Sequence, residues 1–296
     1  MVLESIIGPE KAERNPRDML WVGFVCSTIG LFLALSSFGP YASIAGIFLT
    51  SMPLVVIMYK TMRYEEKKDK LIVNSLQSGK IKIRHEETFL IKEHGKALSL
   101  FIALFLGMVI SSTLWYTILP KEIGEKAFDF QINEIKRIRA SVTGRVIDPG
   151  MLINILGNNF RVWFFCIIFS FLYGAGAIFI LTLNASVVGV AIGSAIRNSL
   201  ASYAHLSHLE FLYNYFGSFS VSFCYLIHGI PEISAYFLGA LGGGIISVAV
   251  ANHELRTREF RHIIIDSLDL IILSAVLLIV AGVMEVSLTP LICGGV

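Results

Sequence analysis

The chain has 296 residues, 55% of them hydrophobic and 16% charged, with a formal net charge of +2 and a mean hydropathy of +0.71. Soluble domains carry about a quarter charged residues, so an ordinary soluble domain is excluded and the solvent of this protein is a bilayer. The nearly balanced charge gives no footing for a nucleic-acid partner.

Crossing hydrocarbon about 30 Å thick takes about 20 apolar residues. Residues 19–37 and 41–59 meet that length without a charge. Mixed charges before Met19, with no small-residue cleavage pattern after the first apolar run, predict that the first helix is retained. Between these two spans, Ser37-Phe38-Gly39-Pro40 suits a tight exposed turn. Segment 60–96 is the most basic connection, with ten Lys and Arg side chains from Lys60 to Lys96. Positive charge in short loops marks the cytoplasmic side, which predicts a cytoplasmic N-terminus in the cell membrane.

Residues 97–119 form a third charge-free span, followed by an extracytoplasmic loop over 120–161. Within the loop, Phe128, Ile132, Ile135 and Ile138 recur at helical spacing and predict a surface helix on the membrane or on the protein. Residues 162–183 are a fourth span. The Gly-rich stretch 184–196 is short for a crossing and reads as a re-entrant or half helix.

Residues 211–251 are almost continuously apolar and too long for one pass, so Gly229 and Pro231 are expected to divide them. His228 and Glu232 flank that break, and ionisable groups at membrane depth are functional or architectural suspects. Small residues then follow four apart at Ala235, Gly239 and Gly243, and Gly189 and Gly193 share the spacing; such faces admit close helix packing, here expected against each other. Residues 263–284 close the chain as a span, with His262, Asp266 and Asp269 along one side of its start and Glu285 at its end. Asp269 is expected to need Arg256, Arg258 or Arg197 as a partner.

The expected fold is all-α: a polytopic membrane helix bundle of about six transmembrane helices plus a re-entrant or half helix. Residues 1–96 make an N-terminal hairpin and basic cytoplasmic loop, and residues 97–296 a membrane core domain. This threading collects Asn158, Asn159, Arg161, His228, Glu232 and Glu285 near the outer ends of different helices. Arg161 is suited to bond Glu232 or Glu285. The layer reads either as a structural lock on the turned helix start or as a proton-responsive or ligand-binding pair.

Cys26, Cys166, Cys224 and Cys293 are scattered without CxxC spacing and predict inert thiols. His205, His208 and Glu210 resemble metal ligands only faintly, and no metal or other cofactor is expected. Phosphate-loop, HExxH and GxSxG signatures are missing, so the chain is not read as an enzyme.

From Asn158 to Pro290 the chain resembles the stage II sporulation protein M family. The resemblance is carried by Asn158-Asn159, Gly174-Ala175-Gly176, Asn184 with Gly189 and Gly193, the segment His228-Gly229-Ile230-Pro231-Glu232-Ile233-Ser234-Ala235, and Glu285 before Thr289-Pro290. It implies an all-helical multipass protein whose relatives in spore-forming bacteria anchor peptidoglycan-degrading partners during engulfment. Family members also occur in bacteria and archaea that do not sporulate, so a more general membrane role underlies the family. The residues carried over are Asn159, Arg161, His228, Gly229, Glu232 and Glu285. The expected function is an integral membrane scaffold or anchor that assembles protein partners in the bilayer, with a homo-oligomer as a further option. The alternative is a transporter or channel with a polar site around His228 and Glu232.

Overall fold

The computed structural model describes residues 15–77, 86–141, 149–173, 176–203, 208–251 and 257–287. Among them are nine α-helices and no strand: α1 (Pro16–Ser37), α2 (Ala42–Gln77), α3 (Glu86–Ile118), α4 (Lys121–Ala127), α5 (Asp129–Ser141), α6 (Pro149–Tyr173), α7 (Ala177–Tyr203), α8 (His208–Ala251) and α9 (Arg258–Ser287). Seven carry stretches long and apolar enough to cross a membrane: Pro16–Ser37, Gly39–Lys68, His94–Ile118, Leu152–Tyr173, Ala177–Asn198, Gly229–Ala251 and Phe260–Ser287. The chain is therefore a multipass helical membrane protein.

Local chemistry sets the first hairpin. Pro16 opens α1, where a missing N–H is no loss, and Asp18 sits in the positive first turn. Gly39 turns the chain with φ +51°, a conformation that disfavours side chains, into a 3-10 turn at Gly39–Tyr41.

Contacts fix the helix directions. Gly23 lies on Leu104, Thr28 bonds Ser111 and Phe32 meets Trp115, so α1 and α3 run parallel. Gly189 sits at Val109 and Ser112 while Gly193 sits at Thr113 and Tyr116, which makes α7 parallel to α3. Gly239 faces Trp163 and Gly243 faces Ile167, so α8 follows α6. Gly282 meets Leu156 and Trp163 bonds Ser274, so α9 runs against α6. These relations give seven alternating passes.

Helix α8 is the hub. Phe237 stacks on Phe101 and meets Phe105 edge-on, and one apolar core joins Met19, Leu54, Phe101, Ile178, Tyr236 and Leu278 from six helices. That core draws on residues from both sides of position 96. The lipid-facing sides of α1, α6 and α9 stay apolar and exposed, as bilayer contact requires.

Two sequence expectations change. Segment 184–196 is not a half helix but the middle of α7, because α6 begins at Pro149 and completes its crossing by Tyr173. Phe169 then crowds Gly176 at the join, where a Cβ would stand 2.5 Å from the Phe169 carbonyl oxygen. Gly229 and Pro231 do not divide residues 211–251 either: α8 continues through Pro231 for 44 residues. Proline is tolerated inside membrane helices, where neighbouring groups satisfy the freed backbone.

The expected surface helix is present as α5, preceded by the short α4, and it lies on the protein. Phe128 and the partly buried Ile132 and Ile135 pack against Leu31, Tyr116 and Val190; the Ile138 side chain is outside the described residues.

Candidate functional site

Three helices bring the central polar groups together. On α8, Glu232 and Tyr236 are one turn apart, and the Tyr236 hydroxyl donates to Glu232 Oε1 at 2.6 Å. Tyr236 is only 2% exposed. Glu285, near the end of the antiparallel α9, is within electrostatic range of both, and the buried Cys166 of α6 is within range of Tyr236. On α6, Asn159 is 6% exposed, and its amide nitrogen has no hydrogen-bond partner among the described residues. Glu232, Glu285 and Asn159 lie toward the same end of the bundle, the end that carries α4 and α5.

Two carboxylates in a low-dielectric layer repel when both are ionised, so this arrangement is chemically suited to hold one positive charge between them. Tyr236 is a partner the sequence reading missed. Its spacing of four residues from Glu232 was the available signal, masked by the apolar run around it. We expect Tyr236→Phe to cost about 0.5–3 kcal/mol, the range that covers hydrogen bonds to a neutral and to a charged acceptor. A falling melting temperature of the detergent-solubilised protein checks this; an unchanged melt would mean that the bond contributes no stability.

The other sequence candidates have different fates. Arg161 is exposed, about 200° around α6 from Asn159, and makes no ion pair with Glu232 or Glu285. The expected arginine lock is absent, because Asn159 rather than Arg161 faces the core. The His228 side chain lies outside the described residues. At Gly229 an added Cβ would meet nothing within 4 Å, so no close packing requires that glycine.

His262 and Asp269 are exposed on α9, and Asp266 is half-buried. They lie toward the opposite end of α9 from Glu285, so this secondary cluster does not join the first. Arg197 does not reach Asp269. Its guanidinium donates to the Leu119 carbonyl and lies over the Tyr116 ring at 5.4 Å. The side chains of Arg256, Arg258, His205, His208 and Glu210 are outside the described residues, as are those of Cys224 and Cys293; Cys26 and Cys166 are free thiols.

The small-residue faces serve two separate interfaces. Gly189 and Gly193 receive α3, whereas Gly239 and Gly243 receive α6, with the fully buried Ala235 one turn earlier on the same face. The expectation that they pack on each other is corrected by the helix arrangement, which gives each face a different neighbour.

A second polar cluster went unnoticed in the sequence. At the end of the bundle away from α4 and α5, Glu65 of α2 is fully buried and bonds His94 Nδ1 of α3 at 2.6 Å. Lys68 contacts the other oxygen of the same carboxylate, and Glu66 is buried beside Glu65 along the chain. Both carboxylates were hidden within a segment read only for its basic charge.

Comparison with known proteins follows the same outline. The family model described as stage II sporulation protein M matches residues 46–290. The match extends toward the N-terminus beyond the resemblance at 158–290 and takes in most of α2, the basic segment and the α4–α5 pair. An uncharacterised protein of Methanocaldococcus jannaschii is 37% identical over 86 residues, covering 27% of this chain and 40% of that relative. The chain thus spans about two fifths of the length of the curated relative it matches. No solved structure matches. With the family model covering most of its length and seven membrane-length helices behind that match, the chain belongs to the stage II sporulation protein M family.

Proposed function

We propose that the protein is a non-catalytic membrane scaffold that holds protein partners through the α4–α5 platform. The carrying observation is how that platform is mounted. Ser43 of α2 donates to Gln131 Oε1 at 3.3 Å and accepts from the Phe130 backbone N–H at 3.0 Å, while Gln131 Nε2 donates to Ser186 of α7 at 3.1 Å. Arg197 braces Leu119 just ahead of α4. The opposite face presents Lys121, Glu122, Lys126, Asn133, Lys136 and Arg137 to solvent. A pinned helix pair with a charged outer face suits partner binding, because little ordering remains to be done on association.

The small-residue faces, a competing place for partners, are occupied within the chain. The positive-inside tendency of segment 60–96 supports a reading with a cytoplasmic N-terminus and the platform on the outer side of the cell membrane. Photo-crosslinkers at Lys126 and Lys136 in native membranes are expected to give discrete protein adducts, with lipid adducts from Phe164, which is 52% exposed on α6. Protein adducts absent at both platform positions would remove the scaffold reading.

The Tyr236–Glu232 pair beside Glu285 favours a second reading, transport of a small cation. Flux into proteoliposomes that Glu232→Gln abolishes, with monodispersity retained, would establish it over the scaffold.

A further inference from the structure

Beneath the platform lies a cavity of about 30 Å³ walled by residues of α1, α2, α3, α4, α5 and α7. Hydroxyls in membrane helices usually bond back to a carbonyl of the preceding turn, as Thr61, Thr117 and Thr182 do here. Thr50 and Ser112 line the cavity, are 4% and 3% exposed, and make no side-chain hydrogen bond among the described residues. Ser43, Gln131 and Ser186 of the platform mount line the same space. Its lining contains polar groups from several helices and no ionisable side chain.

We propose that this cavity is a binding site for a small uncharged hydrogen-bonding molecule, occupied by water, that links the platform to the bundle through Thr50 and Ser112. Buried polar groups are satisfied in folded proteins, by ordered water where protein partners are lacking. A cavity of about 30 Å³ holds about two waters at the 10–15 Å³ each requires. A bare cation would sit there without a countercharge, at a cost that neutral hydroxyls do not offset. The platform is therefore docked over a hydrated seat.

Met108 also lines the cavity and supplies the readout. It is 1% exposed, and Met58 and Met62 are as deeply buried in the apolar core. Millisecond X-ray radiolysis of the full chain in nanodiscs generates hydroxyl radicals from bound water where it stands. Met108 is expected to oxidise about tenfold faster than Met58 and Met62, because only it adjoins water. The double variant Thr50→Val, Ser112→Ala is expected to slow Met108 to their rate while theirs stays unchanged. If that variant misfolds, all three rates rise together and the ratio in the unaltered chain decides. Equal rates in the unaltered chain overturn the proposal. A Met108 rate that changes when sodium is exchanged for choline overturns it in favour of a cation.

Discussion

Gly107→Val is expected to eliminate the folded bundle, seen as loss of the monodisperse peak in fluorescence-detected size-exclusion chromatography. A Cβ on Gly107 would stand 2.0 Å from the Leu20 carbonyl oxygen and 2.9 Å from the Phe24 nitrogen. The obstruction is backbone, which no rotamer change relieves. Gly23 makes the reciprocal approach, where a Cβ would lie 2.1 Å from the Leu104 carbonyl oxygen. Overpacking against movable side chains costs about 1–3 kcal/mol. Separating α1 from α3 would also strain the Thr28–Ser111 and Trp115–Thr28 hydrogen bonds, and a loss above about 4 kcal/mol belongs to this kind of change. Gly157→Ala is the contrasting case, since nothing lies within 4 Å of its added carbon. That variant should match or exceed the parent melting temperature, because alanine favours a helix over glycine by up to about 1 kcal/mol. A folded Gly107→Val protein with an unchanged melt would show that α1 and α3 do not approach this closely.

Glu65→Ala carries the other large expected effect. The carboxylate bridges two helices by accepting from His94 and Lys68 in a fully buried position. Removing one member of a buried polar set strands the remaining groups in low dielectric, at a cost of about 3–5 kcal/mol. Thermal unfolding followed by chromatography should show a large drop for Glu65→Ala and a smaller one for Glu65→Gln, whose amide oxygen still accepts. Equal melts for Glu65→Ala and the parent would mean that the pair contributes nothing to stability. Glu285→Gln is not expected to match Glu65→Ala, because Glu285 is only half-buried and the hydrogen bond at its site runs between Tyr236 and Glu232.

Both effects arise at positions that the sequence did not single out, and the reason is common to them. Gly107 stands four residues from both Ala103 and Ser111, and Gly23 four from Ser27, but that spacing names no partner, and the glycines are marked as points of backbone contact only once two helices are placed in parallel. Glu65 and His94 are 29 residues apart and become partners only when α2 and α3 meet at one end of the bundle. Glu232, by contrast, stood out at once because a carboxylate in an apolar run is conspicuous by composition alone.

The order of residues alone was enough for the solvent, the helical class, the turn at Gly39 and the amphipathic helix over Phe128, Ile132 and Ile135. Each follows from hydropathy or backbone preference summed along one helix, so no partner is needed to read it. Packing set where the apolar stretch between 149 and 203 breaks, that α8 continues through Pro231, which neighbour each glycine face receives, and that Asn159 rather than Arg161 turns inward. Those outcomes depend on how far each helix is rotated and how deeply it sits against its neighbours. Transfer into lipid is nearly indifferent to rotation for a helix that is apolar all round, and so only packing between helices can set it.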